Sequence, residues 1–363
     1  MKIKGLFTLT FFSAISFLPS CIQDEPLNAE ADILKCYVND SIKKAEPQIG
    51  NDKVTILTKR TTDLSKIAPK FDLTSGATLT PKSGTVLDFT KPQIYTVTSQ
   101  DGKWSKEYLV SFNTESLPTT YRFEHWKLDG SDKYHVFYES VVGEEMNIWA
   151  SGNPAFAIMA GKRPPEEYPT SSCDEGVHGK GLRLETLTTG SFGIGVGMPI
   201  AAGNLFLGTF NTAISMARPL EATQFGLPFE KNPIKMEGNY KYTAGPTFTN
   251  KKNEVVPNKK DMADIYAVFY ETDGDLVTLD GANVLTSENI VSMARIENPK
   301  ESSEYISFSV PFVLMPGKTI DLDKLKANKY NLAVVLSSSR EGAYFCGSVG
   351  SLLYVDEIKI ITE

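Results

Sequence analysis

The chain has 363 residues, 41% hydrophobic and 22% charged, with a net charge of −7. That composition excludes a collagenous, disordered or polytopic membrane chain, and it lacks the basic stripe that a nucleic-acid partner requires. The only three His are His125, His135 and His178, so His-based catalysis and His-rich metal sites have little material.

The first element is an address. Lys2 and Lys4 precede an uncharged apolar run from Leu6 to Leu18, too short to span a bilayer and the right size for a signal-peptide core. It ends in Leu18-Pro19-Ser20-Cys21, which resembles a bacterial lipobox. The resemblance implies that residues 1–20 are removed and that Cys21 is lipidated. Ile22-Gln23-Asp24-Glu25 then resembles the acidic export signal of surface lipoproteins in gut-dwelling Gram-negative glycan degraders. It implies an outer-membrane location, lipid-anchored and facing the cell exterior, with 21–30 as an acidic tether. Acyl chains hold by burying CH₂ groups at about 0.8 kcal/mol each. Contact with the membrane is then through that anchor alone, because no later segment reads as transmembrane.

Residues 31–115 show short strands and turns. Lys53 to Leu57 and Thr85 to Phe89 are strand-like, and Gln93–Gln100 with Trp104–Phe112 predicts a hairpin. Asp101-Gly102 supplies the positive φ of a type I′ turn. Trp104 reads as a packing residue at the hairpin end. The rhythm predicts an Ig-like β-sandwich. Gly76 to Gly84, Asp88-Phe-Thr, Tyr95-Thr-Val-Thr and Tyr108-Leu-Val resemble a bacterial Ig-like domain, which implies a spacer between the membrane and the next domain. Residues 116–120 form a linker, with Pro118 stopping the preceding strand.

Residues 121–363 are also β-rich. Ile306, Phe308 and Val310 alternate with Ser307 and Ser309, and Pro311 closes that run. Tyr266 to Tyr270 is apolar on both faces and belongs deep in a sheet. Leu322 to Lys326 is the best helical segment. With no βαβ period, the expectation is all-β: a larger jelly-roll β-sandwich following the Ig-like one. Cys36, Cys173 and Cys346 remain after Cys21. If an oxidising compartment closes one bridge, Cys173–Cys346 is the expected pair, since Cys36 falls in the other domain.

Four ordered sets of segments in this second half carry a specific resemblance. They are Trp149-Ala-Ser-Gly-Asn153 with Gly181 to Thr186; Ala202 to Gly208; Gly226 to Phe229, Pro233 and Gly238 to Tyr242; and Ser337 to Ser339 with Gly342, Phe345-Cys-Gly347 and Gly350 to Glu357. Together they resemble the PCMD family, the putative carbohydrate metabolism domain of surface lipoproteins in glycan-degrading bacteria. The resemblance implies a jelly roll similar to carbohydrate-binding modules. It carries no catalytic residue with it.

The residues themselves argue against most chemistries. No G-x-S-x-G elbow or HExxH occurs, and the glycines from Gly193 to Gly197 do not form a nucleotide loop. The Ser337–Ser339 run reads as hydroxyls that satisfy loop backbone. A glycosidase needs two convergent carboxylates; Glu124, Glu139, Glu144, Glu145 and Glu185 are candidates, but a sequence cannot show that any two meet. Asp356 faces inwards at strand parity and needs a partner. Jelly-roll carbohydrate modules often hold a structural calcium between a final-strand Asp and an early-strand acid; the resemblance implies Glu124 as that early acid, and the pair as the candidate site for structural calcium, the one cofactor expected. For sugar binding, aromatic rings stack on C–H faces and polar groups bond hydroxyls. Trp149 with Asn153 in an expected loop, Tyr168 in a Pro-rich loop, Trp126, and Arg340 after the serine run are the ligand-binding candidates.

The reading is a surface lipoprotein whose distal domain binds a glycan. The alternatives are a carboxylate-dependent glycoside hydrolase, or a structural or adhesive subunit with surface protein partners. The address makes the first test. Protein recovered from membranes should carry acyl chains on Cys21 by mass spectrometry, and Cys21→Ala should move it to the aqueous phase on detergent partition.

Overall fold

The computed structural model describes residues 27–43, 46–58, 62–113, 116–141, 144–159, 161, 163–272 and 278–363. The signal segment and Cys21 lie outside the described residues. Among the described residues no helix is long and apolar enough to cross a membrane.

Two separate apolar cores divide the molecule. The first gathers Val54, Ile56, Phe71, Phe89, Tyr95, Val97, Tyr108, Val110 and Phe112. Alternation in Lys53–Leu57, Gln93–Thr98 and Ser105–Asn113 places these side chains on one face. A five-stranded sheet packs here against the pair Ile33–Tyr37 and Lys70–Leu73. Lys53–Leu57 runs parallel to Ser105–Asn113, whereas Gln93–Thr98 is antiparallel to it. The hairpin forms, but its loop is longer than a type I′ turn: Ser99 N donates to Trp104 O at 2.9 Å, and of Asp101 and Gly102 only Gly102 has positive φ, +68°. Trp104 does not pack at the hairpin end; its side chain is 64% exposed.

The second core is a sandwich of two antiparallel sheets. One has six strands, in the order Thr170–Cys173, Gly181–Glu185, Leu352–Thr362, Pro233–Thr243 and Ser302–Pro311, with Thr120–Tyr121 alongside Leu352–Thr362. The other has nine, with Asn204–Phe210, Tyr330–Ser337, Asp264–Glu271 and Ile290–Arg295 at its centre. Strand parity sorts the larger sheet. Ile265, Ala267, Phe269, Leu332, Val334 and Leu336 face the six-stranded sheet. Tyr266, Val268, Tyr270, Ala333 and Val335 point the other way and are buried too, under loops. This is why Tyr266 to Tyr270 reads as apolar on both faces. The chain is all-β in architecture. The one helix foreseen, Leu322–Lys326, forms with Asp321 accepting from Asp323 N and Lys324 N at 2.8 and 3.1 Å.

Cys36, Cys173 and Cys346 are free thiols, which corrects the expected Cys173–Cys346 bridge. Cys173 lies opposite Gly181 in the six-stranded sheet. Cys346 follows the Gly342–Tyr344 turn, its Sγ turned to Tyr344 O at 3.4 Å. Cys36 is sealed in the first core, where burial pushes its thiol up to about 12.

Two side chains stitch the halves together. Lys53 Nζ donates to Trp149 O at 2.7 Å, and Gln48 Nε2 donates to Gly226 O at 2.9 Å. Burial pulls Lys53 down to about 8. Gly226 has φ +103°, and a Cβ there would lie 2.4 Å from Tyr270 Oη. Gly226→Ala should therefore combine backbone strain with a clash in the core and cost about 2–4 kcal/mol, read as a lower urea midpoint at unchanged slope.

Candidate functional site

The face of the nine-stranded sheet turned away from the sandwich core carries a cavity of about 290 Å³. Its floor is two cross-strand rows. Asn204, Ser337 and Asp264 form one, because Ser337 pairs with both neighbours. Phe206, Val335 and Tyr266 form the next, two residues along each strand. The walls come from the helix Asn153–Met159, the 198–202 segment, the loops 215–220 and 281–286, and the 340–345 loop. Methionines 159, 198 and 216 and Phe210, Phe225, Leu220, Val284 and Leu285 make the interior largely carbon.

Polar groups in the lining are mostly committed to the protein. Arg295 holds Asp264 with Nε and Nη2 both at 2.9 Å, and Arg340 Nε lies 3.5 Å from the same carboxylate. Asn204 accepts from Gly152 N and donates to Ala202 O. Tyr266, only 5% exposed, lies beneath the Arg295 guanidinium; its hydroxyl makes no hydrogen bond among the described residues. At the rim Tyr344 is 54% exposed, followed by Phe345 in a left-handed conformation, φ +58°. An aromatic residue at positive φ is strained and persists only where its surroundings hold it.

Those surroundings are a buried polar hub. Asp261 Oδ2 accepts from Ser339 Oγ at 2.5 Å, Ser348 N at 2.7 Å and Ser351 Oγ at 2.7 Å. Thr186 Oγ1 meets Ser338 and Ser339. Both ends of the 340–345 loop are thus pinned. The serine run satisfies buried groups, as read from the sequence. Gly342 sits where a Cβ would fall 2.4 Å from Ala202 Cβ, so the loop lies flat against the cavity wall.

The sequence candidates are placed differently. Trp149 is not on an exposed loop: it is 1% exposed, in a strand paired with Leu207, edge-on to Tyr121 at 5.1 Å. Its indole N–H is used by Glu139 Oε1 at 2.8 Å, so it presents no face to a ligand. Asn153 is fully buried and staples the helix start to Thr170, with Nδ2 to Thr170 O at 2.8 Å. Tyr168 is buried between Tyr134 and Phe156. Trp126 is half-buried against His135, with ring centres 4.0 Å apart, and lies outside the cavity. Arg340 does line it, but as a loop cap, donating to Glu297 O at 2.9 Å and Ile296 O at 3.1 Å. Tyr344, Phe345, Tyr266 and Arg295 were missed. The Phe345-Cys-Gly347 segment was a usable signal; Arg295 had none.

Glu124 and Asp356 do come to one loop, but their oxygens are turned to N–H donors. Asp356 Oδ2 accepts from Val177 N at 2.7 Å and His178 N at 3.3 Å, and Oδ1 from Glu357 N at 2.7 Å. Glu124 Oε2 accepts from Lys180 N at 3.0 Å. Donor N–H groups converging on a carboxylate make a poor cation cradle. Among the described residues no three His, Cys, Asp or Glu group to hold a metal ion.

Residues 122–361 match the model of PCMD, the putative carbohydrate metabolism domain, and residues 33–111 match that of the SGBP N-terminal domain. The chain belongs to the PCMD family. This PCMD protein is 46% identical to a putative glycoside hydrolase from Bacteroides thetaiotaomicron, with TM-score 0.87 over 94% of this chain and 99% of that one. It is 42% identical to a putative glycoside hydrolase from Bacteroides vulgatus, with TM-score 0.65 over 69% of this chain and 100% of the other. No curated protein matches it.

The five acids proposed for hydrolysis do not converge on the PCMD cavity, whose one described carboxylate is Asp264. Glu185 pairs with Arg183 and Glu145 with Lys127, while the Glu144 side chain lies outside the described residues. Glu139, held against Trp149, is pushed up to about 7 by burial. A carboxyl raised in the fold favours the protonated form. Its stabilisation is complete below about 4.5 and is lost as pH rises through about 7. Glu139→Gln keeps the acceptor for Trp149 without the charge. It should be roughly 2–3 kcal/mol more stable than wild type at pH 8 and equal to it at pH 4.5 by denaturant titration.

Proposed function

We propose that this PCMD protein is a cell-surface lipoprotein that binds a glycan at the mouth of the sheet-face cavity, with Cys21 as its membrane anchor. A role in carbohydrate metabolism follows from the family. Binding is our reading, and one observation carries it. A strained, hub-pinned turn presents Tyr344 to solvent beside a concave surface that contains one described carboxylate, already clamped by Arg295. An exposed ring beside a cavity suits a sugar's C–H face. The SGBP N-terminal match, SGBP standing for surface glycan-binding protein, supports an exterior location. A hydrolase would need a second carboxylate about 5–10 Å from the first, and the described lining supplies none.

Structural calcium through Glu124 and Asp356 is the weaker part of the proposal, given their N–H partners. An unchanged melting temperature in chelator would dismiss it.

On a neutral oligosaccharide array the protein should retain specific glycans, and Tyr344→Ala should weaken the best of them at least tenfold at an unchanged melting temperature. Release of reducing sugar from a retained glycan would replace binding with hydrolysis. No retention of any glycan would overturn the reading.

A further inference from the structure

The cavity behind Tyr344 is the wrong chemistry for a sugar ring. A pyranose carries hydroxyls around its edge, and each one buried without a partner costs heavily. The interior offers little to meet them. Asp264 is occupied by Arg295 and Arg340, Asn204 by Gly152 N and Ala202 O, and Thr223 Oγ1 by Leu220 O. What remains among the described lining side chains is the Tyr266 hydroxyl, the exposed Thr286 hydroxyl and Arg340 Nε, which makes no hydrogen bond, inside a lining dominated by Phe, Val, Leu and Met. The volume, about 290 Å³, would hold on the order of ten waters. Apolar walls of this kind are better filled by an apolar group than by water. Three methionines in the wall, Met159, Met198 and Met216, can repack around differing shapes.

We infer that the ligand is a glycoconjugate: its sugar lies on Tyr344 at the rim, and an apolar ring system attached to that sugar enters the cavity, with one polar substituent reaching the Tyr266 hydroxyl. This rests on the glycan reading above and names the class of glycan. The division of labour follows the lining. The exposed ring, Tyr344, lies at the mouth, and the carbon surface lies behind it.

Matched probes separate the two halves of the ligand. Methyl glycosides of common hexoses, the corresponding 4-methylumbelliferyl glycosides, and 4-methylumbelliferone alone are titrated by calorimetry or fluorescence. At least one 4-methylumbelliferyl glycoside should bind ten-fold or more tighter than both its methyl partner and free 4-methylumbelliferone. Ala282→Trp, at an exposed cavity-wall position, should abolish the advantage over the methyl glycoside. Tyr344→Ala should abolish the advantage over free 4-methylumbelliferone. Tyr266→Phe should reduce affinity for the conjugate and leave the methyl glycoside unaffected. Both wall and rim variants are compared at equal melting temperature, and Met216→Ala, which enlarges the space without crowding it, serves as a second cavity variant expected to loosen conjugate binding. Equal affinity for methyl and 4-methylumbelliferyl glycosides overturns the inference and leaves the glycan reading standing. Binding of 4-methylumbelliferone with no gain from any sugar overturns the glycan reading and the conjugate with it.

Discussion

The nine-stranded sheet has to be covered on both faces. Its central strand Tyr330–Ser337 is buried along nearly its whole length, with Leu332, Val334 and Leu336 turned one way and Ala333 and Val335 the other. The six-stranded sheet covers the first set. Nothing of comparable regularity covers the second, so loops do it, and loops do not close as tightly as a sheet. The cavity is the residue of that mismatch: an apolar face that strand alternation requires, roofed by segments of irregular backbone. Its floor is apolar along the Phe206, Val335 and Tyr266 row and polar along the Asn204, Ser337 and Asp264 row at the strand ends.

An irregular roof needs its own anchors. Asp261 supplies one by accepting from Ser339, Ser348 and Ser351. Burial pushes its carboxyl up while these donors pull it down. A carboxylate in such a place is tolerable only when its lone pairs are used. That requirement explains the concentration of hydroxyls in Ser337–Ser339 and Ser351, and it fixes the ends of the turn that carries Tyr344 and Phe345. Arg340 continues the same function on the other side by capping three backbone carbonyls.

Much of this was legible in the residues. An unbroken apolar run marked the doubly buried Tyr266–Tyr270 segment, Leu322–Lys326 was the helix foreseen, and the serine run read as structural. The ligand candidates failed for a common reason. Trp149, Asn153 and Tyr168 lie among Gly, Ser and Pro, which look like loop, yet each is held by a partner distant in sequence: Leu207, Thr170, and Tyr134 with Phe156. Local composition cannot report a cross-strand neighbour. Glu124 and Asp356 show the converse. The two acids reach one loop, but not by simple alternation: Leu353 and Val355 are the core residues of that strand, and Glu357 at φ +54° breaks the parity just after Asp356. What the acids meet there is the backbone N–H of Val177, His178 and Lys180, and a glycine-bearing loop that supplies donors leaves no trace of that role in composition.

The two domains share more than a linker. A second space, about 570 Å³, lies between them, lined by Asp32, Gln48, Lys106 and Tyr108 on one side and by Thr209, Asn211, Ile214 and Gln224 on the other. The segment from Asn211 to Phe225 therefore has two faces. One meets the first domain; the other, through Ser215, Met216, Leu220 and Phe225, walls the apolar cavity. Gln48 and Lys53 hold the junction by bonding main-chain oxygens of Gly226 and Trp149, so the contact depends on backbone placement and is indifferent to the side chains there. A movement of the 211–225 wall on filling the cavity would be felt first at that junction. The first domain thus backs the 211–225 wall of the cavity, and a truncation that removed it would leave that wall without its backing.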